Sequence, residues 1–415
     1  MIRIKTPQIT NTFLRYTKIN TTSIASATHL PSSDNQYKLA QLVANDLKIA
    51  GCTDIDIQEN AITIISLDAN AESLPSIVFF AHLDTAPDHR QDTHAQVIKN
   101  YQGHNINFKE NTEILSIVDT PELLNYIGQD IIITDGTSLL GADDKAAIAA
   151  SVEAIKYMLV HPEFKHGAIK LILLPDEEIG IRGAKALDVE ALNADFGICL
   201  DCCEIGEYVI ENWYAGDAKI SFTGVTAHPM SAKDKLINAL TMANDFINQL
   251  PEKERPEHTE NRQGYFWPHK LTGDTASAKL EIAIRDFDEK KYKERKDLLE
   301  SITTSINKKY NKERVIIEQS DTYSNVKTGL DKQPEILRYV EHAMNNLGII
   351  KKPLIMRGGY DGSVITPKGL TTVNIFTGAH NFHSTKEFLP CDSLRMASEM
   401  LLEIVSLSTV SYNHE

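Results

Sequence analysis

The sequence predicts an α/β fold with a smaller domain inserted, and three observations support this prediction. Short apolar runs with strand character, such as SIVFFAHLD at 76–84 and FGICLD at 196–201, alternate with amphipathic helical segments. From about residue 214 the order changes to strand, helix, strand, strand, helix, strand, and beyond Gly329 the alternation returns. We therefore expect a discontinuous domain with a central mixed sheet flanked by helices, plus an inserted ferredoxin-like βαββαβ domain.

The first segment begins with helices predicted at 7–18 and 35–50. The second of these has apolar residues at helical spacing, and Gly51 follows its last turn as a stop signal. A third helix is predicted in GADDKAAIAASVEAIKYML, and the stretch from Asp88 to Gln129 is a polar excursion with small hairpins. The strand candidates of this segment are 54–58, 61–66, 76–84, 131–134, 168–176 and 196–201.

The inserted segment has a clear period-two pattern in AKLEIAIRDF. Leu280, Ile282 and Ile284 fall on one side of this strand, and Arg285 falls on the polar side. The other predicted elements are the strands DAKISFTG, 264–271 and 314–321 and the helices SAKDKLINALTMANDFINQL and 289–308. The predicted domains are therefore 1–213 with 328–415, and 214–327 as the insertion.

The last segment returns to α/β character and carries two polar loops. It contains a helix predicted at 334–347, the glycine-rich turn RGGYDGS at 357–363, and a strand at 371–376. The polar loop HNFHSTKEF and a final helix at 392–408 follow. This segment is expected to complete the sheet of the first one.

Composition argues against several classes of function. The 415-residue chain has a formal net charge of −15 and a pI near 5.4, which disfavours nucleic acid and anionic membranes as partners. No apolar stretch reaches transmembrane length, and no N-terminal signal is visible. The five cysteines are odd in number and irregularly spaced, which favours reduced thiols and a cytoplasmic location.

The stretch LILLPDEEIG at 171–180 is the most informative single feature. Four apolar residues lead into Asp176, Glu177 and Glu178, and Gly180 follows. Three ionised carboxylates cannot all be buried without partners, so the run is either a solvated turn or part of a site. Because successive strand side chains point to opposite sides, the two glutamates can serve two functions there.

Further polar residues stand at the ends of other predicted elements. HLD puts His82 and Asp84 on one strand face, and GADD places Asp143 at a turn before a helix. Asp201 ends an apolar strand, and His383 lies in the C-terminal loop. Each residue alone is more often structural, but the ends of strands in one α/β sheet form a common edge. A mixed set of histidine and carboxylate donors suits zinc or manganese.

The motifs together resemble a known family. FFAHLDTAPD, TDGTSLLGADDKAAIA, PDEEIG, HPMSAKDKLINA, IRDFD, DTYSNV, RGGYDGS and NIFTGAHNFHSTKEF occur in the order found in the peptidase T family, along nearly the whole chain. These tripeptide aminopeptidases belong to the dizinc metallopeptidases, which also include aminoacylase and succinyl-diaminopimelate desuccinylase. TDGTSLLGADDKA followed by PDEE is specific to the peptidase T branch, whereas HLD alone indicates only the wider family.

The resemblance implies a ligand set for two Zn²⁺ ions, with Mn²⁺ or Co²⁺ as substitutes. His82 and Asp201 would bind one ion, Glu178 and His383 would bind the other, and Asp143 would bridge them. Asp84 would orient the imidazole of His82. Domain 1–213 with 328–415 would then be the catalytic domain, and 214–327 would be a lid of the dimerisation type.

The resemblance also implies the reaction. Glu177 would be the general base for a water activated by the two ions, and the N-terminal peptide bond of a short peptide would be cleaved. The expected substrate is a tripeptide, and a homodimer through the lid is the expected assembly.

Four residues of the inserted and last segments would act on the substrate. His228 would reach the reacting carbonyl oxygen, or it is a capping or surface histidine. Arg285 would bind the terminal carboxylate of the substrate, or it pairs with Glu281 or Asp286. Arg357 precedes a Gly-Gly turn that could face an anion, or it lies in a plain loop. Asn325, in DTYSNV, is assigned to substrate binding with the two arginines.

Several positions depart from the family pattern. Cys202 and Cys203 replace a glycine pair, and Met230 replaces the glycine of HPG. Lys386 stands where the family has a second histidine, and Tyr360 replaces a threonine, which would bring bulk towards the substrate pocket. None of these changes removes an expected metal ligand or the expected base.

Two other functions stay open at the level of sequence. One is a different amide hydrolase of the same family, such as a carboxypeptidase, a dipeptidase or an N-acyl amino acid deacylase. The other is a non-catalytic metal-binding or interaction protein that kept the fold. The intact Glu177 argues against the second, because a binding protein has no use for a general base beside a metal.

Overall fold

Two parts of the chain form separate compact units. The computed structural model describes residues 4–89, 92–108 and 112–410. The first unit comprises the described residues of Met1–Ile210, Val326–Leu354 and Tyr360–Glu415, and the second comprises Glu211–Asn325 and Ile355–Gly359. The sequence of the second unit thus interrupts that of the first, as the predicted fold class requires.

The helices end at local signals that the sequence carries. For example, the 35–50 prediction corresponds to α2, which ends at Gly51 with a left-handed φ of 118°. Among the described residues no helix is both long and apolar enough to cross a bilayer. The α-helices of the described residues are α1 (Thr6–Tyr16), α2 (Asp34–Ala50), α3 (Ala142–Val160), α4 (Arg182–Ala186), α5 (Ala239–Ile247), α6 (Glu289–Tyr310), α7 (Lys327–Leu330), α8 (Glu335–Leu347), α9 (Asp361–Ile365) and α10 (Cys391–Ser408).

Within the described residues the strands form four sheets. The strands of the described residues are β1 (Asp54–Ile57), β2 (Thr63–Leu67), β3 (Ile77–His82), β4 (Gln96–Ile98), β5 (Ile106–Asn107), β6 (Ile114–Leu115), β7 (Ile131–Ile133), β8 (Ile169–Leu174), β9 (Phe196–Cys202), β10 (Glu207–Asn212), β11 (Tyr214–Thr223), β12 (Tyr265–Gly273), β13 (Ser277–Asp286), β14 (Val315–Tyr323), β15 (Lys352–Met356), β16 (Thr372–Phe376) and β17 (Phe388–Pro390).

The largest sheet is mixed and has eight strands in the order β1-β2-β8-β3-β9-β16-β10-β15. Its centre is parallel, because β3 pairs in parallel with both β8 and β9, and β9 pairs in parallel with β16. The strands β1, β2 and β10 pair antiparallel with their neighbours. This mixed central sheet confirms the predicted fold class.

Helix α3 is the central helix of the first unit. It contacts β3 and β9 and also packs against α1, α2 and α10. Its sequence is rich in alanine, and nearly all of its residues are buried. Small side chains let neighbouring elements approach the helix closely, so it can be covered on most sides. Its first turn carries Asp143 next to the end of β3.

A smaller sheet, β17-β7-β4, stands beside the pair β5–β6 and shares a core with it. His380 lies against this core: its Nε2 is 2.7 Å from the hydroxyl oxygen of Tyr126, and its ring stacks on Phe388 at 4.6 Å. Burial lowers the pKa of His380 to about 4. The same chain segment, 380–388, carries His383, so this packing supports the loop of a candidate site residue.

The second unit is a four-stranded antiparallel sheet in the order β12-β13-β11-β14, with α5 and α6 packed on it. The chain order β11, α5, β12, β13, α6, β14 is the predicted βαββαβ order. Leu280, Ile282 and Ile284 are fully buried in its core, as the alternation in β13 predicted.

One predicted helix is shorter than its apolar pattern indicated. The prediction covered SAKDKLINALTMANDFINQL, but α5 spans only Ala239–Ile247. Asn238 caps the helix, because its side-chain oxygen accepts the Leu240 N–H at 2.9 Å. Just before it, Ile237 and Val225 exchange backbone hydrogen bonds as an isolated bridge. The backbone of Ile237 therefore forms hydrogen bonds outside the helix, and the helix starts after it.

We expect the contribution of His380 to the free energy of unfolding to fall as the pH drops from about 6.5 towards 4. The imidazole of His380 has a pKa of about 4 when folded, against its ordinary value of 6.5. Over this pH range the unfolded chain therefore binds a proton at His380 more readily than the folded chain does. This one group changes the free energy of unfolding by at most about 1.4 kcal/mol per pH unit.

Urea unfolding of the wild type, His380→Gln and the exposed-site control His94→Gln at several pH values measures this effect. The pH dependence of the free energy of unfolding should lose the His380 contribution in the His380 variant and keep it in the control. Equal pH dependence in all three proteins would contradict the expectation.

Candidate metal-binding site

Side chains with metal-binding chemistry lie at the ends of three adjacent strands. His82 is the last residue of β3, Asp201 is the penultimate residue of β9, and Glu177 and Glu178 follow β8. Because β3 lies between β8 and β9 and runs parallel to both, the three carboxyl ends meet at one edge of the sheet. Asp143 joins them from the first turn of α3.

Asp143 is the geometric centre of the cluster. Its Oδ1 lies 2.8 Å from Nε2 of His82, and its Oδ2 lies 3.2 Å from Nε2 of His383. The same Nε2 of His383 lies 3.0 Å from Oε1 of Glu178. The structure therefore brings together two histidines separated by 301 residues of sequence, one on each oxygen of a single carboxylate.

The donor atoms form two groups that could each hold a metal ion. One group is His82, Asp143, Asp144 and Asp201, and the other is Asp143, Glu178 and His383. Within each group the donor atoms lie within 4.8 Å of one another, and Asp143 belongs to both. All five residues that the sequence analysis assigned to metal binding are thus in one cluster, and Asp144 is an addition.

The residues present fit divalent cations. The Oε1 atom of Glu178 is buried and lies 3.0 Å from Nε2 of His383, a nitrogen that also faces Asp143. The Oδ1 atom of Asp144 is buried and has no hydrogen-bond partner among the described residues. Such atoms are costly to bury unless a cation or a proton offsets their charge. Imidazole nitrogens and carboxylate oxygens are donors that zinc and manganese accept.

Asp84 connects two of the strand ends. Its buried carboxylate accepts the Glu177 N–H at 2.9 Å and the Glu178 N–H at 3.2 Å, through different oxygens. The Oδ1 atom also lies 3.3 Å from Nδ1 of His82. Because Nδ1 is held on this side, Nε2 of His82 is the nitrogen directed at Asp143.

Burial and the neighbouring charges shift the pKa values of the ionisable groups in the cluster. Burial and then the negative charge of Asp201 raise the pKa of Glu177 well above its usual range. Burial, together with the charge of Asp143, raises the pKa of Glu178 to about 7. Hydrogen bonds to Asp143 and Glu178 raise the pKa of His383 to about 11. Each shift reduces the excess negative charge, which is the effect that a bound cation would also have.

The structure adds three buried carboxyl groups that the sequence analysis did not single out. Asp144 accepts the backbone N–H of His82 at 3.0 Å. Asp361 is buried at the start of α9 with Oδ1 unpartnered, and burial raises its pKa to about 7. Glu387 follows His383 in the same loop and is also buried. Each of the three residues lies within a motif already noted, GADDKA, RGGYDGS or HNFHSTKEF. The acidic residue in each motif was the signal in the sequence that could have identified it.

Arg285 and Arg357 belong to the second unit and lie on its aromatic side chains. The Cζ of Arg285 is 5.9 Å from the ring centre of Tyr323, and the Cζ of Arg357 is 5.3 Å from that of Trp213. Arg285 also donates to the carbonyl oxygens of two strand residues, and Arg357 donates to Thr259. The Arg285 side chain is 16% exposed, so its guanidinium is largely held by the protein.

His228 and Asn325 also belong to the second unit and make local contacts there. The Nδ1 atom of His228 accepts the Met230 N–H at 3.2 Å, which is the capping alternative considered from the sequence. Asn325 is buried, and its side chain accepts the Asn212 N–H at 3.2 Å and donates to the carbonyl of Phe287 at 3.1 Å. Both ends of the Asn325 amide bind backbone, which favours a structural role over direct contact with a substrate.

The substituted family positions divide into buried and exposed ones. Tyr360 is completely buried and donates its hydroxyl to the Thr372 carbonyl at 3.3 Å, so its bulk lies in the protein interior. Cys202 is buried and Cys203 is half-buried, and all five cysteines are free thiols. Met230 is 89% exposed.

Comparisons with known proteins agree over the whole chain. Residues 211–314 match the family described as the peptidase dimerisation domain. The chain is 40% identical over 402 residues to peptidase T of Clostridium novyi, covering 96% of this chain and 98% of that one. It is 40% identical over 403 residues to peptidase T of Caldanaerobacter subterraneus, with the same coverage.

Solved structures show the same fold. Aminopeptidase PepT of Bacillus cereus matches with a TM-score of 0.76 and 20% identity, covering 98% of this chain and 100% of the other. A tripeptidase of Staphylococcus aureus matches with a TM-score of 0.75 and 22% identity, covering 98% and 99%. A dinuclear metal-binding peptidase of the M20 family from Bacillus subtilis matches with a TM-score of 0.65 and 12% identity, covering 97% and 98%.

The fold, the donor cluster and these relatives define a class of enzyme, the metallo-aminopeptidases. Within that class, the level and extent of sequence identity are decisive. The chain belongs to the peptidase T family.

We expect Asp84→Asn to weaken metal binding by about 10- to 100-fold, the usual effect of losing a carboxylate that orients metal ligands. The asparagine would present an amide NH₂ to groups that need an acceptor, either the Glu178 N–H or the Glu177 N–H together with Nδ1 of His82. Competition for Zn²⁺ against a chromophoric chelator measures the affinity.

The matched control is Asp195→Asn. Asp195 also accepts a backbone N–H, that of Ser76 at 2.7 Å, but it lies on the exposed surface of the first unit. The control should bind Zn²⁺ as the wild type does, and wild-type affinity in Asp84→Asn would contradict the assigned contact.

Proposed function

We propose that this enzyme removes the N-terminal residue from short peptides, with tripeptides preferred, using water activated at a pair of divalent cations. The observation that carries the proposal is the carboxylate of Asp143, whose two oxygens face the imidazoles of His82 and His383. One carboxylate shared by two donor groups is an arrangement that suits two neighbouring ions. The names of the peptidase T and tripeptidase relatives support the choice of substrate.

Five residues would hold the two ions. His82 and Asp201 would bind the first ion, Glu178 and His383 the second, and Asp143 both. Bound there, two divalent cations supply Lewis-acid chemistry, which polarises a carbonyl and makes water nucleophilic near neutral pH. The donor set favours Zn²⁺, with Mn²⁺ or Co²⁺ as substitutes.

Glu177 would be the general base. It is adjacent to Glu178 in sequence, it is only partly buried, and Asp84 holds its backbone N–H. Its raised pKa suits a group that accepts a proton from the attacking water and then gives it to the leaving amine. Asp84 would position the backbone of this base and orient the ring of His82.

Residues of the second unit would bind the ends of the substrate. Arg285 and Arg357 are cations supported by aromatic rings, and a guanidinium can bind a terminal carboxylate with two hydrogen bonds. His228 would donate a hydrogen bond to the reacting carbonyl oxygen, which requires that it leave the local contact with Met230. Asn325 would keep the backbone near Asn212 in place for this binding region.

The assembly that we propose is a homodimer through the second unit. The match of residues 211–314 to the peptidase dimerisation domain supports it. So do the edge strands β12 and β14 of the small sheet, where Trp267 is 50% exposed and Ile316 is 51% exposed. The five free thiols support a cytoplasmic location.

Two neighbouring variants should separate chemistry from metal binding. Glu177→Gln should lower kcat by about 100- to 10,000-fold and keep both equivalents of metal, because it loses only the proton acceptor. Glu178→Gln should lose activity and at least one equivalent of metal, because it loses a ligand. Elemental analysis and tripeptide hydrolysis, before and after treatment with a chelator, give both readouts.

Two outcomes of these measurements would contradict the proposal. Full hydrolysis by purified Glu177→Gln would remove this residue from the mechanism. A wild-type protein that keeps its activity without metal would overturn the proposed function as a whole.

A panel of substrates should distinguish the proposed activity from other amide hydrolysis. Free tripeptides should be cleaved best, N-acetylated tripeptides should be nearly inert, and N-acyl amino acids should not be cleaved. Arg285→Met should raise KM for tripeptides with a free carboxylate and leave KM for amidated tripeptides unchanged. The control Lys279→Met lies on the same strand but is exposed, and it should change neither value.

Preference for N-acyl amino acids would instead identify a deacylase. Release of the C-terminal residue would identify a carboxypeptidase.

A further inference from the structure

The loop that carries His383 is closed at its base. His380 and Phe388 exchange backbone hydrogen bonds of 2.9 and 3.2 Å, and β17 then pairs with β7. Within the loop, His383 has a left-handed φ of 60°. The loop returns into the core at Glu387, whose side chain is only 1% exposed. The position of Glu387 is therefore fixed by the same packing that fixes the loop.

The carboxylate of Glu387 binds the backbone that carries Asp143. Its Oε2 accepts the Gly141 N–H at 2.8 Å, and its Oε1 accepts the Asp143 N–H at 3.1 Å. These amides lie in the turn that leads into α3, where Asp143 and Asp144 have non-helical φ and ψ angles, so hydrogen bonding within the helix does not satisfy them. Glu387 thus satisfies two buried donors beside the residue shared by both donor groups.

Lys145 lies next to this contact. A Cβ added to Gly141, which has a φ of 72°, would sit 3.2 Å from Nζ of Lys145. The buried ammonium interacts electrostatically with Glu387 and Asp84. The turn before Asp143 is therefore enclosed between a buried carboxylate and a buried cation, which leaves it little freedom to shift.

We propose that Glu387 is a positioning residue of the metal site, which sets the distance between Asp143 and His383. It can do so because it belongs to the His383 loop and binds the Asp143 backbone directly. The group formed by Asp143, Glu178 and His383 depends on this distance most, since it contains both of these residues, whereas the other group contains only Asp143. The proposal rests on the proposed function, because it assigns Glu387 a role in holding the second ion.

The test uses the full chain with Glu387→Gln, and Glu153→Gln as its matched control. Glu153 is also 1% exposed and also hydrogen-bonded, to Thr12 and Lys156, but it lies further along α3. Zn²⁺ affinity is measured by competition with a chromophoric chelator, and kcat and KM are measured on a tripeptide.

We expect Glu387→Gln to bind one of the two Zn²⁺ equivalents about 10- to 100-fold less tightly than the wild type does. Its kcat should fall while KM stays within about twofold, because the substrate groups do not change. The control should keep the affinities and kcat of the wild type even where its stability falls, since a general loss of packing does not act on metal affinity.

A result that contradicts the role of Glu387 differs from a result that contradicts the proposed function. Wild-type affinity for both equivalents in folded Glu387→Gln would overturn the role of Glu387 and leave the proposed function intact. A wild type that binds no Zn²⁺ would overturn both. Should Glu387→Gln not fold, amide hydrogen exchange of the wild type decides: the Gly141 and Asp143 amides should be protected with and without Zn²⁺, and rapid exchange of both would overturn the inference.

Discussion

The concentration of negative charge at one edge of the main sheet is the constraint on which the site depends. Asp84, Asp143, Asp144, Glu178 and Asp201 lie together, and their charges act on one another. Burial of such a set is unfavourable unless protons, cations or hydrogen bonds compensate it. His82, His383 and Lys145 provide part of the compensation within the first unit. Burial together with the remaining excess charge explains the raised pKa values, and the excess charge also explains the affinity that we propose for divalent cations.

Backbone amides supply a second part of the compensation, and they also determine the geometry. Asp84 on the β3 end binds the amides after β8, Asp144 on α3 binds the His82 amide, and Glu387 binds the start of α3. Each of these carboxylates comes from one element and binds the backbone of another. The donor positions are therefore interdependent, and none can shift without breaking a hydrogen bond of a neighbour. Fixed donors of this kind are what tight metal coordination needs.

The sequence allowed the fold class, the strand ends and the five candidate ligands to be predicted. The strand ends were readable because apolar runs stop at His82, Pro175 and Asp201, and the α/β alternation implied that these ends share an edge. Asp144 and Glu387 could not be assigned in this way. Their function depends on which backbone N–H groups they reach, and period-two or helical spacing carries no information about contacts 62 or 244 residues away. The late start of α5 was missed for a similar reason, since a capping side chain and a bridge decide it.

Burial explains why family positions can vary beside the cluster without altering its donors. Asp201 belongs to a donor group, at a point where the pairing of β9 with β16 is irregular, and the next residue, Cys202, is buried. Tyr360 is buried as well, and its ring fills the space beside Gly362, where an added Cβ would come within 2.3 Å of it. Both side chains are therefore accommodated in the protein interior. Of the two substituted residues after Asp201, Cys203 is the one that keeps partly exposed surface, so its thiol is the one that solvent can reach.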